Sequence, residues 1–109
     1  MLRSWESLYK SYKRYGHCDD GAIAEGYSES VARILVDHWN TLSQLTSLAS
    51  KDTKFLRFVL MHVDATLDTG DIEKIKVNAT TRCPSGLHAT CVQLKKNAES
   101  ALKEQVSPQ

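Results

Sequence analysis

Three cysteines and four histidines are the residues of this chain best suited to metal or thiol chemistry. Cys83, His88 and Cys91 follow the pattern C-x4-H-x2-C, which offers three zinc ligands at close spacing. A structural zinc site needs four ligands, and the remaining candidates, His17 and Cys18, lie far away along the chain. No paired C-x2-C element is present. The sequence therefore predicts no bound metal and no other cofactor.

Cys83 and Cys91 are better explained as a disulfide. Pro84 and Gly86 follow the first cysteine, so the chain must turn there, and Cys91 falls in the next helical pattern. The bridge would close a loop of nine residues. By the chain-entropy model such a loop stabilises the fold by about 2–3 kcal/mol. A disulfide also predicts maturation in an oxidising place, so we expect a periplasmic or secreted protein.

The sequence leaves other states of the three thiols open. Cys18 can pair with Cys83 or with Cys91, because three cysteines permit three single pairings. Alternatively, all three are reduced in a cytosolic protein and pack as small hydrophobes. If Cys83 and Cys91 are bridged, Cys18 is the free thiol. Its neighbour His17 and a following helix start favour a reactive thiolate, but two aspartates disfavour it, so we expect an inert cysteine.

A histidine–aspartate pair is the remaining arrangement that could transfer a proton. His38 and His62 fall on the inward stripes of two central predicted helices, with Asp37 and Asp64 near them in sequence. A histidine at such a position is more often a hydrogen-bonded core or boundary residue. No nucleophile-elbow, zinc-protease or phosphate-loop motif occurs. We therefore expect a protein that is not an enzyme.

Apolar residues recur at helical spacing along most of the chain. This predicts an all-α fold, a compact bundle of about five helices stapled by the disulfide. We place the helices at residues 4–15, 20–45, 51–67 and 71–81, with a last one after residue 86 that ends near 104. The long second helix and the central third helix form the core pair. Gly26, inside the second helix, predicts a close helix crossing.

The 109 residues are enough for one domain, which we place at 1–109 with a frayed tail over 105–109. The formal charge of +1 gives no basic excess, so we expect no nucleic-acid binding. No apolar run approaches the roughly 20 residues needed to span a bilayer, so we expect no membrane insertion. Residues 1–5 carry no apolar signal segment, which fits either a cytosolic protein or a mature form whose signal peptide was removed.

A charged stripe on the second predicted helix is the expected partner-binding face. It comprises Glu25, Glu29, Arg33 and Asp37, with Asp19 and Asp20 near its start. Glu29 and Arg33 stand in the favourable order for an i,i+4 pair. We expect this face to contact another protein, and the alternative is a solvated helix face with no partner.

Two further features concern the organisation of the chain: Cys18-Asp19-Asp20-Gly21 opens a long predicted helix, and Cys83 and Cys91 form a late pair. In these features the chain resembles small periplasmic bacterial proteins, in particular immunity proteins of the type VI secretion system. The resemblance implies a helical domain that binds and blocks a cell-wall-degrading effector. The alternatives are a cytosolic helical adaptor or regulator with reduced cysteines and, less favoured, a thiol- or metal-dependent enzyme. The oligomeric state stays open, a dimer included.

Overall fold

Six α-helices make up the described part of the chain, residues 2–106 of a computed structural model. They are α1 (Trp5–Tyr15), α2 (Gly21–Asp37), α3 (Leu42–Lys51), α4 (Thr53–Met61), α5 (Thr69–Thr81) and α6 (His88–Val106). Two single 3-10 turns, Gly16–Cys18 and Trp39–Thr41, join the first three helices. No strand occurs within residues 2–106. The predicted all-α bundle is confirmed, with six helices where about five were expected.

The long second helix predicted over residues 20–45 is wrong, because the chain bends after α2. His38 leaves the helical conformation, with φ −131° and ψ 41°. The bend turns Trp39 into the core, where it is 4% exposed and its Nε1 donates a hydrogen bond to the Arg82 carbonyl at 2.8 Å. Helix α3 then starts at Leu42. The apolar pattern continues through the bend because α2 and α3 both face one core.

The third predicted helix, 51–67, is also shorter than expected. Helix α4 ends at Met61, and turns follow as far as Asp68. The Asp64 carboxylate accepts a hydrogen bond from the Thr66 amide at 3.0 Å, a local contact that competes with helical hydrogen bonding. Val63 and Leu67 still bury their side chains from these turns, which explains why their spacing imitated a helix.

The two C-terminal helices differ from expectation only at their ends. Helix α5 begins at Thr69, two residues earlier than predicted, because the Asp68 carboxylate caps the Gly70 amide at 3.0 Å. Helix α6 includes Gln105, whose side-chain amide donates to the carbonyls of Ala65 and Leu67. Helix α6 thus continues to Val106, into the tail that was expected to fray, and residues 107–109 lie outside the described part.

The core is one cluster to which every helix contributes a fully buried side chain. Examples in chain order are Leu8, Leu35, Leu45, Val59, Ile75 and Leu94. Aromatic rings join α1 to α4, and Tyr9 lies edge-on to Phe55 with ring centroids 4.9 Å apart. None of the helices in residues 2–106 combines the length and hydropathy needed to cross a bilayer.

Candidate functional site: an acidic helix face and the neighbouring groove

Arg33 joins three carboxylates on the predicted partner-binding face. Its Nε lies 3.0 Å from Glu29, its Nη1 lies 3.2 Å from Asp37, and its Nη2 contacts Asp71 at the start of α5. The hydrogen bond with Asp71, followed by the charges of all three carboxylates, raises the pKa of Arg33 despite its partial burial. Arg33 therefore fastens α2 to α5, and it is engaged within the fold rather than free for a partner.

The carboxylates that remain available lie at the start and middle of α2. Asp20 and Glu25 are exposed, and no cation within residues 2–106 lies at ion-pair distance from either. Residues 19–37 contain five carboxylates and one arginine, a formal charge of −4. Part of the predicted face therefore carries uncompensated negative charge.

The basic residues cluster on other helices. Lys10, Lys13 and Arg14 of α1 are exposed, and so are Lys51, Lys54 and Arg57 at the end of α3 and on α4. The near-neutral total of +1 therefore conceals an acidic α2 and a net basic α1 and α4. Composition alone did not indicate this separation.

The Asp19 side chain is not available on the predicted contact face, because it hydrogen-bonds within a largely buried row of polar side chains. Its Oδ2 lies 2.9 Å from Nε2 of His62, and Nδ1 of the same ring lies 2.8 Å from the Ser28 hydroxyl. Ser28 and His62 are each only 4% exposed. The His62 ring also packs edge-on against Phe58. These two hydrogen bonds therefore connect the turn before α2, the middle of α2 and the residue after α4.

The histidine–aspartate pair considered from the sequence does not form, and His62 is instead a hydrogen-bonded core residue. His62 is buried as expected, but its partner is Asp19 rather than Asp64. His38 does not face the core; it is exposed at the bend after α2, as is its neighbour Asp37. No sequence pattern indicated Ser28, because a serine in a helix interior carries no signal of a distant hydrogen bond.

The order serine–histidine–aspartate is that of a hydrolase triad, but the surroundings oppose such chemistry. Ser28 is buried within a helix, and the polar cavity of about 220 Å³ at its side is also lined by Glu25 and Glu29. Two carboxylates there would destabilise the oxyanion that acyl transfer must form. The geometry supports a structural role, in which His62 bridges the Ser28 hydroxyl and Oδ2 of Asp19, while Oδ1 of Asp19 has no hydrogen-bond partner within residues 2–106.

An apolar groove of about 410 Å³ lies between α1 and α2. Its lining comprises Leu2, Ser11, Tyr15, Cys18, Ile23, Gly26, Tyr27 and Ser30. Tyr15 is 49% exposed and Ile23 is 48% exposed, so both leave apolar surface uncovered at the groove. The helix crossing expected at Gly26 is wrong, because a Cβ there would meet no atom within 4 Å.

The predicted disulfide between Cys83 and Cys91 is confirmed, with Cα atoms 6.1 Å apart. It closes the turn between α5 and α6, and both sulfurs are thereby unavailable as zinc ligands. Cys18 is the free thiol, partly exposed in the groove rather than fully buried. Among residues 2–106, no three histidine, cysteine or carboxylate side chains are grouped as a metal site.

Comparisons with protein-family models, with curated proteins and with solved structures found no match.

Proposed function

We propose that this chain is a non-catalytic binding protein whose acidic α2 face contacts a basic surface of another protein. The observation that carries the proposal is the formal charge of −3 over residues 20–37, in which Asp20 and Glu25 are exposed and have no ion-pair partner within residues 2–106. A concentrated field of one sign accelerates encounter with an oppositely charged protein and rejects like-charged ones.

Two polar contacts and one disulfide hold the helices together and support a rigid surface. Arg33 holds α2 to α5, the Asp19–His62 contact holds the start of α2 to the end of α4, and the disulfide holds α5 to α6. A face that is already ordered loses little conformational entropy when it binds. The proposal therefore treats the bundle as a support for one charged surface.

The specific form we propose is an inhibitor or immunity protein in the periplasm or outside the cell, directed against a secreted bacterial effector. It is supported by the disulfide, which suits an oxidising compartment, and by the resemblance carried by residues 18–21, Cys83 and Cys91. The alternative is a cytosolic adaptor, in which the two cysteines would be reduced in the cell.

The proposal is tested by site-specific photo-crosslinking in the source cell. A photoreactive amino acid at position 25 should trap one protein, whereas the same group at the exposed position 93 on α6 should not. With that protein purified, the double variant Asp20→Lys/Glu25→Lys should bind it at least tenfold more weakly. The matched variant Lys96→Glu should bind unchanged. Equal trapping at both positions, or equal affinity of the first variant, would remove the α2 face from the proposal.

A further inference from the structure

We propose that a second groove, between the end of α2 and α5, binds an extended segment of another protein that carries two carboxylate side chains four residues apart. This α2–α5 groove has a volume of about 580 Å³. Neither Asp20 nor Glu25 lines it, so the inference is independent of the proposed function. Three observations carry it: a row of polar residues on α5, a free amide oxygen and two uncovered valine side chains.

Lys74, Asn78 and Arg82 are the first observation. They line the groove four residues apart, so they form one row along α5 and its C-cap. Lys74 and Arg82 are exposed, and no carboxylate within residues 2–106 lies at ion-pair distance from either. Eight residues of helix rise about 12 Å, and four residues of extended chain rise about 13 Å. Two acidic side chains four residues apart in an extended segment can therefore reach both cations.

The Asn78 side chain is the second observation. It is only 8% exposed and lies midway between the two cations of the row. Its Nδ2 donates a hydrogen bond to the Leu35 carbonyl at 3.3 Å, and because a carbonyl only accepts, this bond fixes the orientation of the amide. Oδ1 makes no hydrogen bond within residues 2–106 and is not sealed from solvent. A largely buried residue of the groove thus retains a free acceptor, which a backbone N–H of an extended segment can satisfy.

Val77 and Val36 are the third observation. Both line the groove, where Val77 is 54% exposed and Val36 is partly exposed. In an extended segment the side chain midway between the two acids points to the same side as both of them. An apolar side chain at that position can therefore cover the two valines while the carboxylates on either side of it reach Lys74 and Arg82.

The charges that line the groove select an acidic occupant. Two carboxylates lie there beside the two cations, but Asp37 is already engaged by Arg33 at 3.2 Å. Glu73 therefore remains as one carboxylate against Lys74 and Arg82. A basic segment would meet both cations, whereas an acidic segment gains from them. Because Glu73 opposes an acidic segment, Glu73→Gln should strengthen binding about twofold.

The probe is a capped five-residue peptide with glutamate at both ends, valine in the middle and threonine at the two remaining positions. Titrated into the isotope-labelled full chain, it should shift the backbone amide resonances of Lys74 and Arg82 and the side-chain amide of Asn78. The Trp39 indole resonance should shift too, because Trp39 donates to the Arg82 carbonyl. A counterpart with glutamine for glutamate should bind at least tenfold more weakly. A peptide methylated at the valine nitrogen lacks the N–H for Oδ1 and should bind at least threefold more weakly.

Two double variants separate this site from general electrostatic attraction. Lys74→Gln/Arg82→Gln removes the two cations of the groove and should weaken binding of the glutamate peptide at least tenfold. Lys54→Gln/Lys96→Gln removes two exposed cations elsewhere and should bind within twofold of the parent. The inference is overturned if the two variants bind equally, if the glutamate peptide causes no shifts, or if the glutamine peptide binds as well.

Other occupants of the groove give different results. A dimer in sedimentation that Lys74→Gln/Arg82→Gln abolishes would show that a second copy covers the groove, and the inference would be wrong. Displacement of the peptide by a short oligothymidylate of equal charge would show a site for any polyanion, which also overturns it. Failure to trap a protein at position 25 would remove the proposed α2 face and leave the α2–α5 groove in place.

Discussion

Asp19 and His62 are 43 residues apart in the chain, yet Oδ2 of the first lies 2.9 Å from Nε2 of the second. The contact joins the turn before α2 to His62, the residue directly after α4. It also positions the ring so that Nδ1 reaches the buried Ser28 hydroxyl. One carboxylate that the sequence assigned to the surface is thus partly buried, with 19% of its side chain exposed.

Removal of Asp19 should destabilise the fold. Asp19→Ala leaves a nitrogen of the buried His62 ring without its partner, which should lower the free energy of unfolding by about 1–3 kcal/mol in urea. Asp20→Ala is the matched control, because Asp20 is exposed and its side chain makes no cap hydrogen bond; a change below about 0.5 kcal/mol is expected. Equal losses in the two variants would contradict the role of the contact.

The disulfide should be present in protein taken directly from its native compartment. Mass spectrometry without reductant should give a mass about 2 Da below that of the reduced chain, because bridge formation removes two hydrogens. Three free thiols would instead favour the cytosolic adaptor. Such a result would withdraw the periplasmic or secreted assignment.

Loss of the bridge should also cost stability. The variant Cys83→Ala/Cys91→Ala should lose about 2–3 kcal/mol in urea, since the unfolded chain regains loop freedom. Cys18→Ala should lose less, because Cys18 closes no loop. A double variant as stable as the parent would show that the turn between α5 and α6 holds without a covalent link.

Arg33 should contribute more to stability than an ordinary surface ion pair. Arg33→Met leaves Asp71, 14% exposed, without its cation and should lower the free energy of unfolding by about 1–2 kcal/mol. Lys10→Met removes the exposed Lys10–Glu6 pair and should change it by less than about 0.5 kcal/mol. The comparison is made by urea unfolding at low salt, and equal effects would show that the Arg33 contacts are no stronger than solvated pairs.

Alkaline pH should weaken the α1–α4 contact. Burial, followed by the charge of Asp52, raises the pKa of Tyr9 and of Tyr12 above the ordinary value of 10.0. Above about pH 10 the unfolded chain releases these phenolic protons while the folded chain retains them, so stability falls as pH rises. Urea midpoints between pH 8 and pH 11 should show this fall.

Two variants identify the groups responsible for the loss of stability at alkaline pH. Tyr9→Phe/Tyr12→Phe should flatten the fall in stability above pH 10, because the phenolic protons are gone. Asp52→Asn should flatten it in part, since Asp52 accepts the Tyr9 hydroxyl hydrogen bond and its charge opposes ionisation of both rings. A fall as steep in the double tyrosine variant as in the parent would assign it to other groups.

Helical periodicity predicted most helix positions correctly but failed where apolar spacing continued through a bend. The stripe from Val31 to Leu45 suggested one helix, although the chain turns at His38 to bury Trp39. The partner of the Trp39 indole is the Arg82 carbonyl, 43 residues away, so no local pattern records it. The same limit applies to Arg33, whose i,i+4 partners were visible in the sequence while Asp71 was not.

The sequence by itself determined the all-α class and favoured the Cys83–Cys91 disulfide over the other pairings, because helical spacing and a Pro-Gly turn between two cysteines are local properties of the chain. The tertiary structure alone decided that Asp19 is partly buried, that Arg33 is engaged with α5, and that Ile23 and Gly26 border an open groove. The spacing of apolar residues indicates which face of a helix is apolar. Which distant polar groups meet, and which apolar side chains stay uncovered, follows only from how the helices pack.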